Sequence, residues 1–192
     1  TKDGWTIHGN LRYPDRLGKS DKLVPGVIQV SGARSNRYSM YRFEEEFSRR
    51  GFAVLSIELR GRGQSMQGQL FDSEDVFEVR ENLLGSAFEL DTEGAIEFLA
   101  SVDGIDSDRI ALVGEARGTR SALLAAEGDA RVKAMILISA YEADDRMVRA
   151  TESLDIPMLL IDSETNWARS GTELVHDKAI NSQLMIYPRL GH

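Results

Sequence analysis

The chain has 192 residues, of which 42% are hydrophobic and 28% are charged, as expected for a globular protein with one sizeable core. Its formal net charge of −8 argues against a general nucleic-acid binder, and the lack of cysteine excludes disulfides, zinc-thiolate sites and a thiol nucleophile. Apolar runs such as residues 134–138 are too short to span a bilayer, and no basic-then-apolar leader opens the chain. We therefore expect a soluble protein, cytoplasmic by default. We also expect that both ends of the chain have been trimmed.

Hydrophobic periodicity predicts strands and helices that alternate along the chain. Residues 5–13 are typical of an early antiparallel strand, whereas residues 64–85 are polar, acidic and aperiodic, which indicates a loop that would cover a pocket. The later predicted strands are 26–30, 52–57, 109–113, 133–139, 157–161 and 183–187. The predicted helices are 38–50, 86–102, 119–126, 144–150 and 171–179. This alternation predicts an α/β fold, a mostly parallel central sheet with helices on both faces, in a single domain over residues 1–192.

The helical period also predicts which side chains face the core. In the first helix we expect the inner face to carry Met40, Phe43 and Phe47. In the second helix we expect the inner face to carry Ala87, Leu90, Gly94 and Phe98.

Three segments carry glycine-rich turns at the ends of predicted strands. They read VIQVSGAR at 27–34, ELRGRGQS at 58–65 and IALVGEARG at 110–118, and a Gly-His pair closes the chain at 191–192. In this order they resemble landmarks of the α/β-hydrolase superfamily, of the serine-hydrolase type that includes dienelactone hydrolases, esterases and peptidases. The resemblance covers nearly the whole chain and implies a minimal α/β-hydrolase fold without a large lid domain.

The third segment resembles the nucleophile elbow, G-x-S-x-G, in which a serine sits on a sharp turn from strand to helix. Gly114 and Gly118 supply the two flanking glycines, which the turn requires because side chains there would collide. The central position is Ala116, whose methyl group can neither attack a carbonyl nor be activated by a base. The resemblance therefore implies an elbow without its nucleophile.

The resemblance also assigns the other two members of the catalytic triad. His192 stands at the position of the family's base, and Asn166 stands where the family has its acid. An amide cannot stabilise an imidazolium as a carboxylate does, which lowers triad rates by about 10⁴-fold. Other carboxylates expected at the same end of the sheet could serve instead, and they are Asp162, Glu164 and Asp144.

An oxyanion hole built from main-chain N–H groups would survive these changes. By resemblance its donors belong to Arg117 and to Ala33 or the next residue. We hypothesise that this pocket binds an anionic group, with Arg34 and Arg117 nearest to it. The alternative is that the arginines after the strands are simply solvated surface residues, namely Arg34, Arg37, Arg62, Arg117, Arg146 and Arg169.

Three functions remain open at this point. The first is a catalytically silent pseudo-hydrolase that acts as a binding or interaction domain, with a small anionic ligand or a protein as its partner. The second is a carboxylic-ester or peptide hydrolase in which Ala116 is an inactivating replacement of serine. The third is a scaffolding subunit of a larger assembly. The sequence predicts no cofactor and no metal, since His8 and His176 lack partners at ligand spacing, and it leaves the oligomeric state open.

Overall fold

Seven strands form one sheet in a computed structural model that describes residues 1–14, 22–32, 35–66, 85–141 and 143–188. Their order across the sheet is β1-β3-β2-β4-β5-β6-β7, and every neighbouring pair is parallel except β1 with β3. The strands are β1 Gly9–Arg12, β2 Val24–Val30, β3 Ala53–Ile57, β4 Ile105–Glu115, β5 Val132–Ile138, β6 Met158–Ser163 and β7 Ser182–Tyr187. The predicted mostly parallel α/β sheet is confirmed, with a single antiparallel strand at one edge.

Helices follow the strands and cover both faces of this sheet. They are α1 Tyr41–Arg49, α2 Phe88–Ala100, α3 Arg117–Ala126, α4 Asp145–Ser153 and α5 Arg169–Lys178, with short 3₁₀ turns at Gly63–Ser65 and Gly85–Ala87. Successive side chains of a strand point to opposite faces. Accordingly Ile28 packs in a large core cluster with α2 to α5, whereas its neighbour Val27 packs in a smaller one with Met40, just before α1.

The predicted inner face of the first helix is wrong at Phe43. That ring is 48% exposed, and the helix buries Glu44 and Ser48 instead. The Glu44 carboxylate accepts a hydrogen bond from the Ser56 hydroxyl at 3.0 Å and one from Arg12 at 3.2 Å. Because these partners offset the desolvation of the carboxylate, a polar residue occupies a position that periodicity assigns to an apolar one.

The second helix is rotated relative to its predicted inner face. Phe98 is 51% exposed, and the residues that α2 buries are Phe88, Glu89, Asp91, Thr92, Ala95, Ile96 and Leu99. Three of these are polar, and two of the three have buried partners. Asp91 binds Arg60, and the Thr92 hydroxyl lies 2.7 Å from the Ser121 hydroxyl. Each predicted inner position lies one residue before a buried one, so the prediction chose a face that is out of register by one residue.

Arg60 joins the N-terminal segment to the sheet and to α2. Its guanidinium is 3% exposed, lies 2.8 Å from Asp91 and bonds Asp3 at 2.5 Å, and its Cζ is 5.3 Å from the centroid of the Trp5 ring. Burial raises the pKa of Asp91 although Arg60 opposes it, whereas the hydrogen bond from Arg60 lowers the pKa of Asp3. Arg60 therefore has a structural role.

Replacing Arg60 with alanine should lower the free energy of unfolding by about 3 to 5 kcal/mol, because it leaves the buried Asp91 without its cation. Urea unfolding at pH 7 measures this change. The matched control is Arg109→Ala, whose side chain is 61% exposed and which should change stability by about 0.5 kcal/mol or less. The Arg60 variant should lose less stability as the pH falls, because burial raises the pKa of Asp91 and its protonated form needs no cation. Equal effects of the two variants at pH 7 would contradict this account.

Candidate active site

The chain bends sharply where β4 ends and α3 begins. Ala116 stands at this bend with φ 48° and ψ −114°, and among the described residues Ser139 is the only other non-glycine residue with positive φ. Such a conformation costs about 1 to 3 kcal/mol and persists only where neighbouring contacts enforce it. Here the Ala116 N–H donates to the Ile138 carbonyl at 2.8 Å, and its carbonyl accepts from the Thr119 N–H at 3.0 Å.

The glycines around the bend are required by close main-chain contacts. A Cβ at Gly114 would lie 2.7 Å from the Gly118 carbonyl oxygen, and a Cβ at Gly118 would collide with the Val30 carbonyl of the adjacent strand β2. Neither site has room for a side chain. A Cβ at Gly32 would lie 3.2 Å from the Ala116 methyl group, so the end of β2 borders the apex directly.

The main-chain donors predicted for the oxyanion hole are only partly within the described structure. Arg117 is the first residue of α3, beside the apex. Ala33, Arg34 and His192 lie outside the described residues. Ser31, just after β2, is buried and donates its hydroxyl to the Ile57 carbonyl at 3.1 Å, into the sheet.

Asn166, at the expected acid position, is buried in the loop after β6. Its Nδ2 donates to the Asp162 carboxylate at 2.6 Å, and its Oδ1 accepts from the Ala168 N–H at 3.1 Å. Asp162, 3% exposed, also accepts from the Ser163 N–H at 2.7 Å and from the Thr172 hydroxyl at 2.5 Å. The structure therefore places both residues in one buried hydrogen-bond network.

The remaining acid candidates differ in their surroundings. Glu164 is exposed, on the turn that follows β6. Asp144 caps α4 by accepting from the Met147 N–H at 2.9 Å and pairs with Arg120 at 2.9 Å. Burial acts to raise the pKa of Asp144, but these two partners outweigh burial, and its pKa is lowered. Its carboxylate is thus engaged in holding α4 against α3.

The predicted arginines have different partners. Arg37 is buried and donates to Glu58 at 2.8 Å, within the turn that the sequence marked as a family landmark. Arg146 pairs with Glu89, and Arg169 pairs with Glu173. Arg117 is different, since its Cζ lies 4.5 Å from the centroid of the Tyr141 ring. The structure places Arg117 beside the apex and pairs Arg37, Arg146 and Arg169 with carboxylates.

Sequence reasoning missed the aromatic residues at this end of the sheet. Tyr141 follows β5 and Trp167 follows β6, and their ring centroids are 5.0 Å apart at an interplanar angle of 82°. Trp167 is 70% exposed. A sequence signal was present, because each aromatic lies a few residues beyond a predicted strand and next to a predicted loop, where side chains of parallel strands converge.

Glu115, next to the apex, points toward the loop after β2. Its Oε2 lies 3.4 Å from the Gly32 nitrogen and 3.4 Å from the Ser39 hydroxyl. Among the described residues no cluster of His, Asp or Glu has the composition of a metal site. Within the same part of the chain, no helix combines the length and apolar character needed to cross a bilayer.

Neither family models nor curated proteins match this sequence. Solved structures do match in shape. The chain has the α/β-hydrolase fold. It superposes on Est1E from Butyrivibrio proteoclasticus with bound ferulic acid (TM-score 0.79, 16% identity, 99% of this chain and 88% of that one). It also superposes on a dienelactone hydrolase from Anabaena variabilis, with a TM-score of 0.71 and 22% identity over 97% of this chain and 82% of that one. A third match is acetyl xylan esterase 1 from Thermoanaerobacterium, with a TM-score of 0.74 and 16% identity over 97% of this chain and 74% of that one.

The Asp162–Asn166 contact predicts how the fold responds to restoring a carboxylate at residue 166. Asn166→Asp would set two buried carboxylates about 2.6 Å apart, so one of them should have its pKa raised above its unfolded value. The variant should therefore be near wild-type stability around pH 4 to 5, where a shared proton keeps the hydrogen bond. Its free energy of unfolding should fall by about 2 kcal/mol as the pH rises to 8, because the shared proton is then lost.

Chemical unfolding across pH 4 to 8 measures this loss. The control is the exchange Asp162→Asn with Asn166→Asp, which restores one carboxylate and one amide and should recover most of the stability at pH 8. A pH-independent stability of the Asn166→Asp variant would refute the proposed sharing of a proton.

Proposed function

We propose that this chain is a non-catalytic protein with the α/β-hydrolase fold, which binds a ligand at the elbow instead of cleaving one. The observation that carries the proposal is Ala116 at the apex of an otherwise complete bend. Acyl transfer by this fold needs a nucleophile at that position, and a methyl group provides none. Ser31 and Ser121 do not provide one either, since both are buried and donate their hydroxyls to main-chain carbonyls.

The acid position supports the same proposal independently. Both ends of the Asn166 amide are engaged, with Nδ2 on Asp162 and Oδ1 on the Ala168 N–H. The nearest carboxylate, Asp162, already accepts three hydrogen bonds inside the protein. These hydrogen bonds stabilise the loop after β6. They also occupy the Asp162 carboxylate, whereas a triad acid uses its carboxylate to orient a histidine.

Binding at this site has a physical basis that does not need a nucleophile. Loops at the carboxyl ends of parallel strands meet around the apex, which is the usual ligand position in open α/β sheets. Arg117 is the first residue of α3 and lies beside this apex, next to main chain that packs closely at Gly32, Gly114 and Gly118. We therefore infer that the ligand carries an anionic group.

A second function is favoured by one observation, the strained main chain of Ala116. A turn with φ 48° is of use to a hydrolase, because it presents a serine hydroxyl to substrate, whereas a binding protein has no need of it. On this alternative the chain is a carboxylic-ester or peptide hydrolase in which Ala116 replaces the catalytic serine.

The substitution Ala116→Ser distinguishes the two functions. We expect no turnover of a chromogenic short-chain ester above that of Ala130→Ser, a control that adds a hydroxyl at an exposed alanine. The reason is that an amide at the acid position reduces triad rates by about 10⁴-fold. Clear gain of turnover in Ala116→Ser, abolished by adding His192→Ala, would overturn the non-catalytic function and support the hydrolase.

A further inference from the structure

We propose that strand β7 is the surface through which two copies of this chain pair, strand against strand, in a two-fold symmetric dimer. β7 lies at one edge of the sheet, and within the described residues β6 is the only strand that pairs with it. Two strands, β5 and β6, separate it from β4, which leads into the bend at Ala116. The inference therefore concerns a surface apart from the elbow and does not depend on the proposed function.

The outer edge of β7 presents main-chain groups that no strand of the described chain takes up. The Tyr187 carbonyl accepts from the Glu164 N–H, at the end of β6, at 3.0 Å, so Tyr187 and every second residue before it face β6. The residues whose main-chain groups face away from β6 are Ser182, Leu184 and Ile186. Such a row of N–H and C=O groups is a template for pairing with another strand.

β7 lacks the features by which sheet edges are usually protected, which are short length, charged side chains, proline and β-bulges. Its six residues read SQLMIY, and its register with β6 is uninterrupted. The strand at the opposite edge, β1, has four residues and carries Arg12, whose guanidinium pairs with Glu44 at 3.2 Å. Of the two edges of the sheet, β7 is therefore the one suited to pairing.

Apolar side chains are exposed on β7 and just before it. Ile180 is 61% exposed, and Met185 and Tyr187 are 42% and 41% exposed on one face of the strand. On that face Met185 lies beside Ile161 of β6, which is only partly buried. An apolar patch that reaches the edge of a sheet is typical of a contact with another protein chain.

Charge favours a second copy of this chain as the partner. The net charge of −8 makes two copies repel each other unless the surfaces that meet are neutral. Residues 179–188 contain no charged side chain, so two copies can join here without placing like charges opposite each other. Because a two-fold contact uses the same patch on both copies, the exposed apolar side chains of each copy would cover those of the other.

Antiparallel pairing centred on Leu184 would satisfy the whole edge. Leu184 then lies opposite its own counterpart and Ser182 lies opposite Ile186, so each outward-facing residue gains a main-chain partner. On the exposed face Gln183 lies opposite Met185 of the second copy, as a non-hydrogen-bonded pair with Cα atoms about 4.5 Å apart. The result is one sheet that runs through both copies.

Sedimentation equilibrium of the full chain tests the association. We expect a dimer at micromolar concentration, which Met185→Lys should weaken about tenfold or more because it sets two lysines near the two-fold axis. Met185→Leu should stay within about threefold, since it keeps an apolar side chain. The control is Phe43→Lys, at a ring that is 48% exposed on α1, and it should leave the association unchanged. A monomeric chain, or equal weakening by Met185→Lys and Phe43→Lys, would overturn the inference.

Cross-linking tests the strand pairing itself. Because the chain has no cysteine, Gln183→Cys and Met185→Cys can each be made as the single thiol of the protein. A Cα separation of about 4.5 Å lies within the range that a disulfide spans. On oxidation, a mixture of the two variants should give several-fold more disulfide-linked dimer than either variant alone. Equal yields from the mixture and from the separate variants would overturn the proposed pairing.

Discussion

The contact between Gly118 and the Val30 carbonyl is the constraint on which the site depends. It lets the first turn of α3 lie against the end of β2, which a single added methyl group would prevent. The bend that results forces Ala116 into the left-handed region and fixes it between the ends of β2 and β5 through Gly32 and Ile138. A nucleophile elbow is thus present as main-chain geometry, whatever side chain it carries.

The two departures from a serine hydrolase are physically different. At Ala116 only one oxygen atom is missing, and the surrounding main chain is unaffected. At Asn166 the change is built into the packing, because the amide shares Asp162 with Thr172 and the Ser163 N–H. Thr172 in turn accepts from the Ala140 N–H at 2.8 Å, which links the loops after β5 and β6. These loops carry Tyr141 and Trp167, whose rings contact each other, so the hydrogen-bond network around Asn166 lies next to this aromatic pair.

Sequence reasoning predicted the fold well, since the parallel sheet follows from strand and helix alternation and the bend follows from Gly114 and Gly118. It placed Arg117 next to the bend, and in the structure Arg117 is the first residue of α3. It failed at the buried faces of α1 and α2, where Glu44 and Asp91 turn inward toward partners that are distant in sequence. For the same reason it could not foresee the contact between the rings of Tyr141 and Trp167, which follow two different strands. The Asn166–Asp162 bond is local, but the hydrophobic pattern of the sequence carries no sign of it.

The central claim is that the elbow is intact in shape and lacks a reacting group. Its most direct test is the intact mass of the unmodified protein after incubation with a fluorophosphonate, which forms a covalent adduct with an activated serine. We predict no adduct on folded protein, because the apex carries a methyl group. A stoichiometric mass increase that requires native structure and disappears in His192→Ala would show a working nucleophile in this chain and contradict the account.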